Sequence, residues 1–142
     1  MNETFKLKGR VKIQVIRNGE VVAEREVNNL VVSAGKNQVA KLLVGTDNNA
    51  FKYIAIGTGT TSPTDNDTAL ENEYARQQAT VSTNNNVAQL EATFNISSTV
   101  SISESGVFNS DTDGVMLART TFAPLNLQNG DTLRVTWKIT IS

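Results

Sequence analysis

Residues 133–141 constrain this chain more than any other stretch. Leu133, Val135, Trp137, Ile139 and Ile141 alternate with Arg134, Thr136, Lys138 and Thr140. A period of two is that of a strand with one buried face and one wet face. A helix would scatter those five apolar side chains around its circumference. Such a strand needs paired neighbours on both sides and a second layer over its apolar face, so the chain is expected to build a packed sheet. Trp137, the largest ring in an inward position, is the expected core anchor.

The same alternation recurs upstream. Val11, Ile13 and Val15 share one face of a strand over 11–15. Asn18-Gly19 then supplies the two positive-φ positions of a type I′ turn, and 20–27 runs back as the partner. Strands are expected at 51–56, 76–83 and 87–96, the last two joined by Asn84-Asn85-Asn86. Within 87–96, Leu90, Ala92, Phe94 and Ile96 face one way, and Gln89, Glu91, Thr93 and Asn95 the other. Val100 and Ile102 continue the alternation, and 115–122 returns after the turn Asp111-Thr112-Asp113-Gly114. Asn129-Gly130-Asp131 marks the last turn.

Between residues 33 and 45 the period changes. Val39, Leu42 and Leu43 fall at i, i+3 and i+4, with Ser33 placed as N-cap and Gly45 as C-cap, which predicts one short helix packed on the sheet. Residues 57–66 read as a long exposed loop, followed by a turn of helix near 69–74 capped by Asp67. The expected fold is mainly β: an antiparallel β-sandwich or barrel of about seven or eight strands with one short helix. A length of 142 residues fits one domain. Residues 1–10, polar and unpatterned, are expected to form a flexible N-terminal arm that orders on docking.

Composition narrows the chemistry. The chain has no cysteine and no histidine, which removes thiolate nucleophiles, zinc–sulfur sites, and the commonest general base and metal ligand. No catalytic residue, cofactor or metal is expected. With 13 Lys and Arg scattered singly and a net charge of −1, there is no basic stripe for phosphates, and nucleic acid is not an expected partner. Met1-Asn2-Glu3-Thr4-Phe5-Lys6 starts polar, without a signal-peptide core, and no apolar run approaches the roughly 20 residues of a membrane span. The expectation is a product that stays in the cytoplasm or joins an assembly there.

The remaining candidates read better as structure. Gly57-Thr58-Gly59 lacks the third glycine of a dinucleotide loop, because Ser62 stands there, and the Gly-Lys-Ser/Thr of a Walker loop is missing too. Asp65 and Asp67, or Asp111 and Asp113, offer calcium ligands. An EF-hand loop from Asp111 would, however, put Met116 where glycine is needed and Phe122 where glutamate is needed. Glu71 with Glu73, or Glu91 with Glu104, would have to sit about 5 or 9 Å apart to cleave a glycoside, and solvated faces explain them better. Arg119, beside the apolar run Val115-Met116-Leu117-Ala118, is expected to pair with Glu104 across strands; the alternative puts Arg119 and Glu104 at a subunit interface.

Several stretches together resemble small bacteriophage virion structural proteins of the head-decoration or tail-fibre-like kind. They are Asn29-Leu30-Val31-Val32 with Gly35-Lys36, Tyr53-Ile54-Ala55-Ile56-Gly57-Thr58-Gly59-Thr60, and Asp67-Thr68-Ala69-Leu70. Further on come Glu104-Ser105-Gly106-Val107-Phe108-Asn109, Leu117-Ala118-Arg119, and Gly130-Asp131-Thr132-Leu133-Arg134-Val135-Thr136-Trp137. The resemblance covers roughly residues 25 to 142 and implies a non-enzymatic virion protein. It would bind the major capsid protein or other virion proteins as a symmetric homo-oligomer, and a trimer would fit a shell's three-fold points. Within that setting the expected role is a capsid decoration protein. The alternative is a tail or fibre component that contacts the host surface through loops 57–66 and 84–86.

Overall fold

The computed structural model describes residues 5–142, which form ten strands and one helix. The strands are β1 (Leu7–Arg17), β2 (Glu20–Asn28), β3 (Leu30–Val31), β4 (Tyr53–Gly57), β5 (Glu73–Gln78), β6 (Thr80–Asn84), β7 (Val87–Asn95), β8 (Val100–Phe108), β9 (Met116–Leu127) and β10 (Thr132–Ile141), with α1 (Ser33–Val44) after β3. Two five-stranded antiparallel sheets result, in the orders β2-β1-β10-β7-β6 and β3-β9-β8-β4-β5. Each sheet keeps two free edges, so the molecule is a sandwich and not a barrel.

The alternation read from the sequence sets the core. Val11, Ile13 and Val15 from β1, Leu90 and Phe94 from β7, and Leu133, Val135 and Trp137 from β10 are buried against Ile54, Ile56, Ile102, Val107 and Leu127 of the second sheet. Trp137 is fully enclosed. Ile141, expected inward, is 38% exposed at the end of β10, where it pairs with Leu7. The first hairpin turns at Asn18 and Gly19, with φ of 53° and 80°, as a type I′ turn requires. Arg17 reaches across to Asp131 with two hydrogen bonds of 2.8 and 2.9 Å, tying the end of β1 to the turn before β10.

Several boundaries differ from the sequence reading, each for a physical reason. The expected strand 76–83 is two strands in different sheets. The chain crosses from one edge to the other at Ala79, whose N–H goes to the Lys52 carbonyl at 2.7 Å. Residues 7–10 of the expected arm pair with residues 138–141 as β1, and Lys6 exchanges backbone hydrogen bonds with Ser142. Residues 1–4 of that arm lie outside the described residues.

Ser33 is the first helical residue and not the cap. Val32 holds the N-cap position without a side-chain bond, and the Ser33 N–H is taken by the Asp65 carbonyl at 2.9 Å. Gly45 ends the helix in the left-handed conformation, as expected. The buried face of the helix is Gly35 and Gln38, while Leu43 is 72% exposed. A side chain at Gly35 would run into the Leu117 backbone, so the close approach of helix to strand needs glycine there and turns Leu43 outward. No helix turn forms at 69–74, where the chain runs irregularly into β5.

Part of the outer face of the second sheet is covered. Residues 58–72 lie across it, and Leu70 joins Val32, Ala55, Phe108 and Met116 in a second small apolar cluster. Residues 102–108 of β8 are therefore buried on both faces.

Candidate functional site

The largest concentration of buried polar chemistry sits under that covering segment. The pairing of β8 with β9 shifts between Ile102↔Leu125 and Glu104↔Thr121. The shift is a bulge in which residues 122–124 of β9, ending at Pro124, oppose the single residue Ser103. Ile102 points into the main core, whereas beyond the bulge it is Ser105 and Val107 that do so. Glu104 is thereby turned to the outer face, beneath residues 58–72.

There its carboxylate is enclosed by donors. One oxygen, Oε2, accepts the N–H groups of Gly59 at 2.7 Å and Asn72 at 2.8 Å. The other, Oε1, accepts the Glu71 N–H at 2.9 Å and Arg119 Nε at 3.1 Å. Arg119 Nη2 lies 3.0 Å from the same oxygen without hydrogen-bond alignment. Arg119 Nη1 reaches Asp67 Oδ2 at 3.0 Å. Glu104 and Arg119 are 0% and 2% exposed, so the expected cross-strand pair is present as an interior pair. The interface alternative for these two residues meets the same burial: neither side chain reaches the surface of the chain.

The covering segment is fixed by its own carboxylates as well. Glu71 accepts the N–H groups of Thr60 and Thr61 and the Thr61 hydroxyl, at 2.8, 3.0 and 2.6 Å. These bonds, the hydroxyl first, hold its pKa down to about 2. For Asp67, burial would raise the pKa. The Thr64 N–H and hydroxyl, with Arg119, outweigh it and hold the group below its ordinary value.

Gly57-Thr58-Gly59 thus proves to be a pinned segment whose glycines are buried, not an exposed loop. A side chain at Gly57 would meet Glu104 Oε2 at 2.6 Å. The solvated reading holds for Glu73, which pairs with Arg76 at 2.7 Å, and for partly exposed Glu91. It fails for Glu104, which is wholly buried; Glu71 is exposed, with its carboxylate bonded to Thr60 and Thr61.

This arrangement holds the covering segment in place: Glu104 accepts from Gly59, Glu71, Asn72 and Arg119, and its side chain is fully buried. Among the described residues no group of three or more Asp or Glu is placed to hold a metal ion. Asp113 stands in a turn with φ of 52°, and the carbonyls of Ser110 and Asp113 both accept from Arg76 Nη1 at 2.9 Å. Arg76 also stacks on Phe108, 3.8 Å from the ring centre. Sequence reasoning missed this residue, because apart from Glu73 its partners are backbone carbonyls more than thirty positions away.

One surface feature stands apart. Phe5, Leu7, Val39, Ala40 and Leu43 line an open groove of about 420 Å³ between the start of β1 and α1, together with Lys6, Lys8 and Lys36. Among the described residues no carboxylate lines it, and Phe5 and Leu43 are 62% and 72% exposed. Among the described residues no helix is long and apolar enough to cross a membrane. No known protein family matches the chain, and no curated protein is significantly similar to it in sequence.

Proposed function

We propose that this chain is a non-enzymatic structural protein of a bacteriophage particle, a decoration protein that binds the outer shell of coat subunits as a symmetric oligomer. The observation that supports this reading most is where the resembling stretches lie. Residues 53–60, 67–70, 104–109 and 117–119 are the strands and covering segment that meet at Glu104, Arg119 and Asp67. What they share is a framework locked by a buried ion network, and a shell clamp has to be rigid. The lysine-flanked groove supplies the docking surface. Its apolar floor and three cations suit an apolar coat segment flanked by Asp or Glu. Each such contact is modest, and repetition over the shell supplies the avidity.

The test is to count copies of this chain per coat subunit in purified particles by quantitative mass spectrometry. Saturable binding of the free protein to stripped shells is then measured. A ratio near one, or a fixed large fraction of one, supports the decoration role. Leu43→Glu and Lys36→Glu should then abolish shell binding while leaving the circular dichroism unchanged. A few copies per hundred coat subunits would move the chain to the tail or a fibre and make host contact the function. Absence from the particle would overturn both.

A further inference from the structure

Four strands end the two sheets, and three of them are guarded. β2 carries Glu20, Glu24, Arg25 and Glu26, β3 is two residues long, and β5 carries Glu73 and Arg76. Charges and shortness of this kind keep an edge from pairing with another chain. β6 has neither protection. Its sequence is Thr80-Val81-Ser82-Thr83-Asn84, with no charge and no proline, all five residues are exposed, and Val81 is 50% exposed.

The pairing of β6 with β7 fixes which backbone groups are free. A two-residue turn closes on Asn84↔Val87, so hydrogen-bonded pairs fall at Asn84, Ser82 and Thr80. The N–H and C=O groups of Val81 and Thr83 then point away from β7. Two donors and two acceptors are presented about a centre at Ser82, which is the pattern an antiparallel copy of the same strand presents in return.

Charge selects the occupant. The residues lining the hollows beside β6, from Gln77 and Gln78 to Thr93 and Asn95, carry the single charge of Glu91, with exposed Lys52 next to Ala79 at the start of the strand. This surface gives a strongly charged partner almost nothing to pair with and gives a second copy almost nothing to repel. We infer that β6 is a self-association edge, pairing antiparallel with β6 of a second copy about a two-fold axis at Ser82. Val81 then lies opposite the partner copy's Thr83, Ser82 lies opposite Ser82, and the first sheets of two molecules join into one ten-stranded sheet. The inference deepens the oligomer in the proposed function, but it is decided on the free protein without any shell.

The experiment is sedimentation velocity of the wild type and of charge variants at the axis. Ser82 shares the solvent face with Gln89, its partner in β7, so substitutions there leave the core untouched. The wild type is expected to show a concentration-dependent monomer–dimer equilibrium. Ser82→Lys and Ser82→Glu, each placing like charges directly opposite, should weaken it roughly fivefold. An equal mixture of the two should dimerise again. The chain has no cysteine, so Ser82→Cys gives a clean second readout. The non-hydrogen-bonded pair places the two Cα atoms about 4.5 Å apart, within disulfide range, and mild oxidation should yield a covalent dimer. Glu24→Cys, on the guarded edge, should not. A wild type that stays monomeric at millimolar concentration, a trimer, or a dimer indifferent to both Ser82 charge variants would overturn the inference.

Discussion

The indole N–H of Trp137 donates to the hydroxyl of Ser105 across the sandwich at 3.2 Å. That hydroxyl in turn donates to the Ala55 carbonyl at 2.8 Å. The largest core ring is therefore oriented as well as buried, and one small polar chain links β10 to β8 and β4. Trp137→Ala should lower the unfolding free energy by roughly 3–5 kcal/mol, the usual range for a deleted buried aromatic. Ser105→Ala leaves the indole N–H without an acceptor and should cost about 1–3 kcal/mol. Urea titrations with unchanged slope would measure both. A Ser105→Ala variant as stable as the parent would show that the hydrogen bond does not matter.

Breaking the interior ion pair should be more damaging than its distance alone suggests. Glu104→Gln leaves Arg119 buried with only Asp67 to balance it, and loss of one partner of a buried pair costs about 3–5 kcal/mol. Arg119→Met strands Glu104 in the same way. The double variant should be more stable than the sum of the two losses, since neither charge is then left alone. A double-mutant cycle by denaturant unfolding checks this, and strict additivity would mean the two groups do not act as a pair.

How much of this was legible in the sequence follows from how local each signal is. The strands around Val11, Leu90 and Trp137 announce themselves by period two, and Asn18-Gly19 names its own turn. The bulge that turns Glu104 outward is not legible. It depends on three residues of β9 opposing one of β8, a local break in the ladder after which each strand resumes its alternation on the other face. Of the expected helix face, Val39 packs on the core and Leu42 is half-buried, but Leu43 points outward, because the contact of Gly35 with Leu117 is non-local and puts Gly35 and Gln38 innermost. Residues 57–66 look like a loop in composition, and residues 60–62 and 64–66 are exposed as such; the burial of Gly57 and Gly59 comes from Glu104, forty-seven and forty-five positions away.

Acid should unfold the protein through its pinned carboxylates. The folded pKa of Glu71 is about 2 against an ordinary 4.5, and that of Asp131 is about 2 against 3.8. A carboxyl whose pKa is depressed by folding binds fewer protons folded than unfolded. Its contribution is complete above the unfolded value and is lost as pH falls toward the folded one. The melting temperature should therefore fall between pH 4.5 and pH 2. Glu71→Gln and Asp131→Asn should each flatten that fall while lowering stability at neutral pH. Calorimetry across the range tests it, and parallel curves for parent and variants would remove these two groups as the cause.

Two glycines should respond to alanine in different ways. At Gly19 nothing lies within 4 Å of an added Cβ, but φ is +80°. Gly19→Ala should cost about 1 kcal/mol through backbone strain alone and leave the rest of the sandwich untouched. At Gly59 an added Cβ falls on the Glu104 carboxylate and on Glu71 Cβ, so the covering segment has to lift from the two groups that pin it. Gly59→Ala should destabilise by about 1–3 kcal/mol, the range for overpacking, and should free residues 57–72 before the sheets open. Limited proteolysis separates the two. The Gly59→Ala protein should be cut within 57–72 under conditions where the Gly19→Ala protein stays whole, and equal resistance would mean that Glu104 is not what holds the segment down.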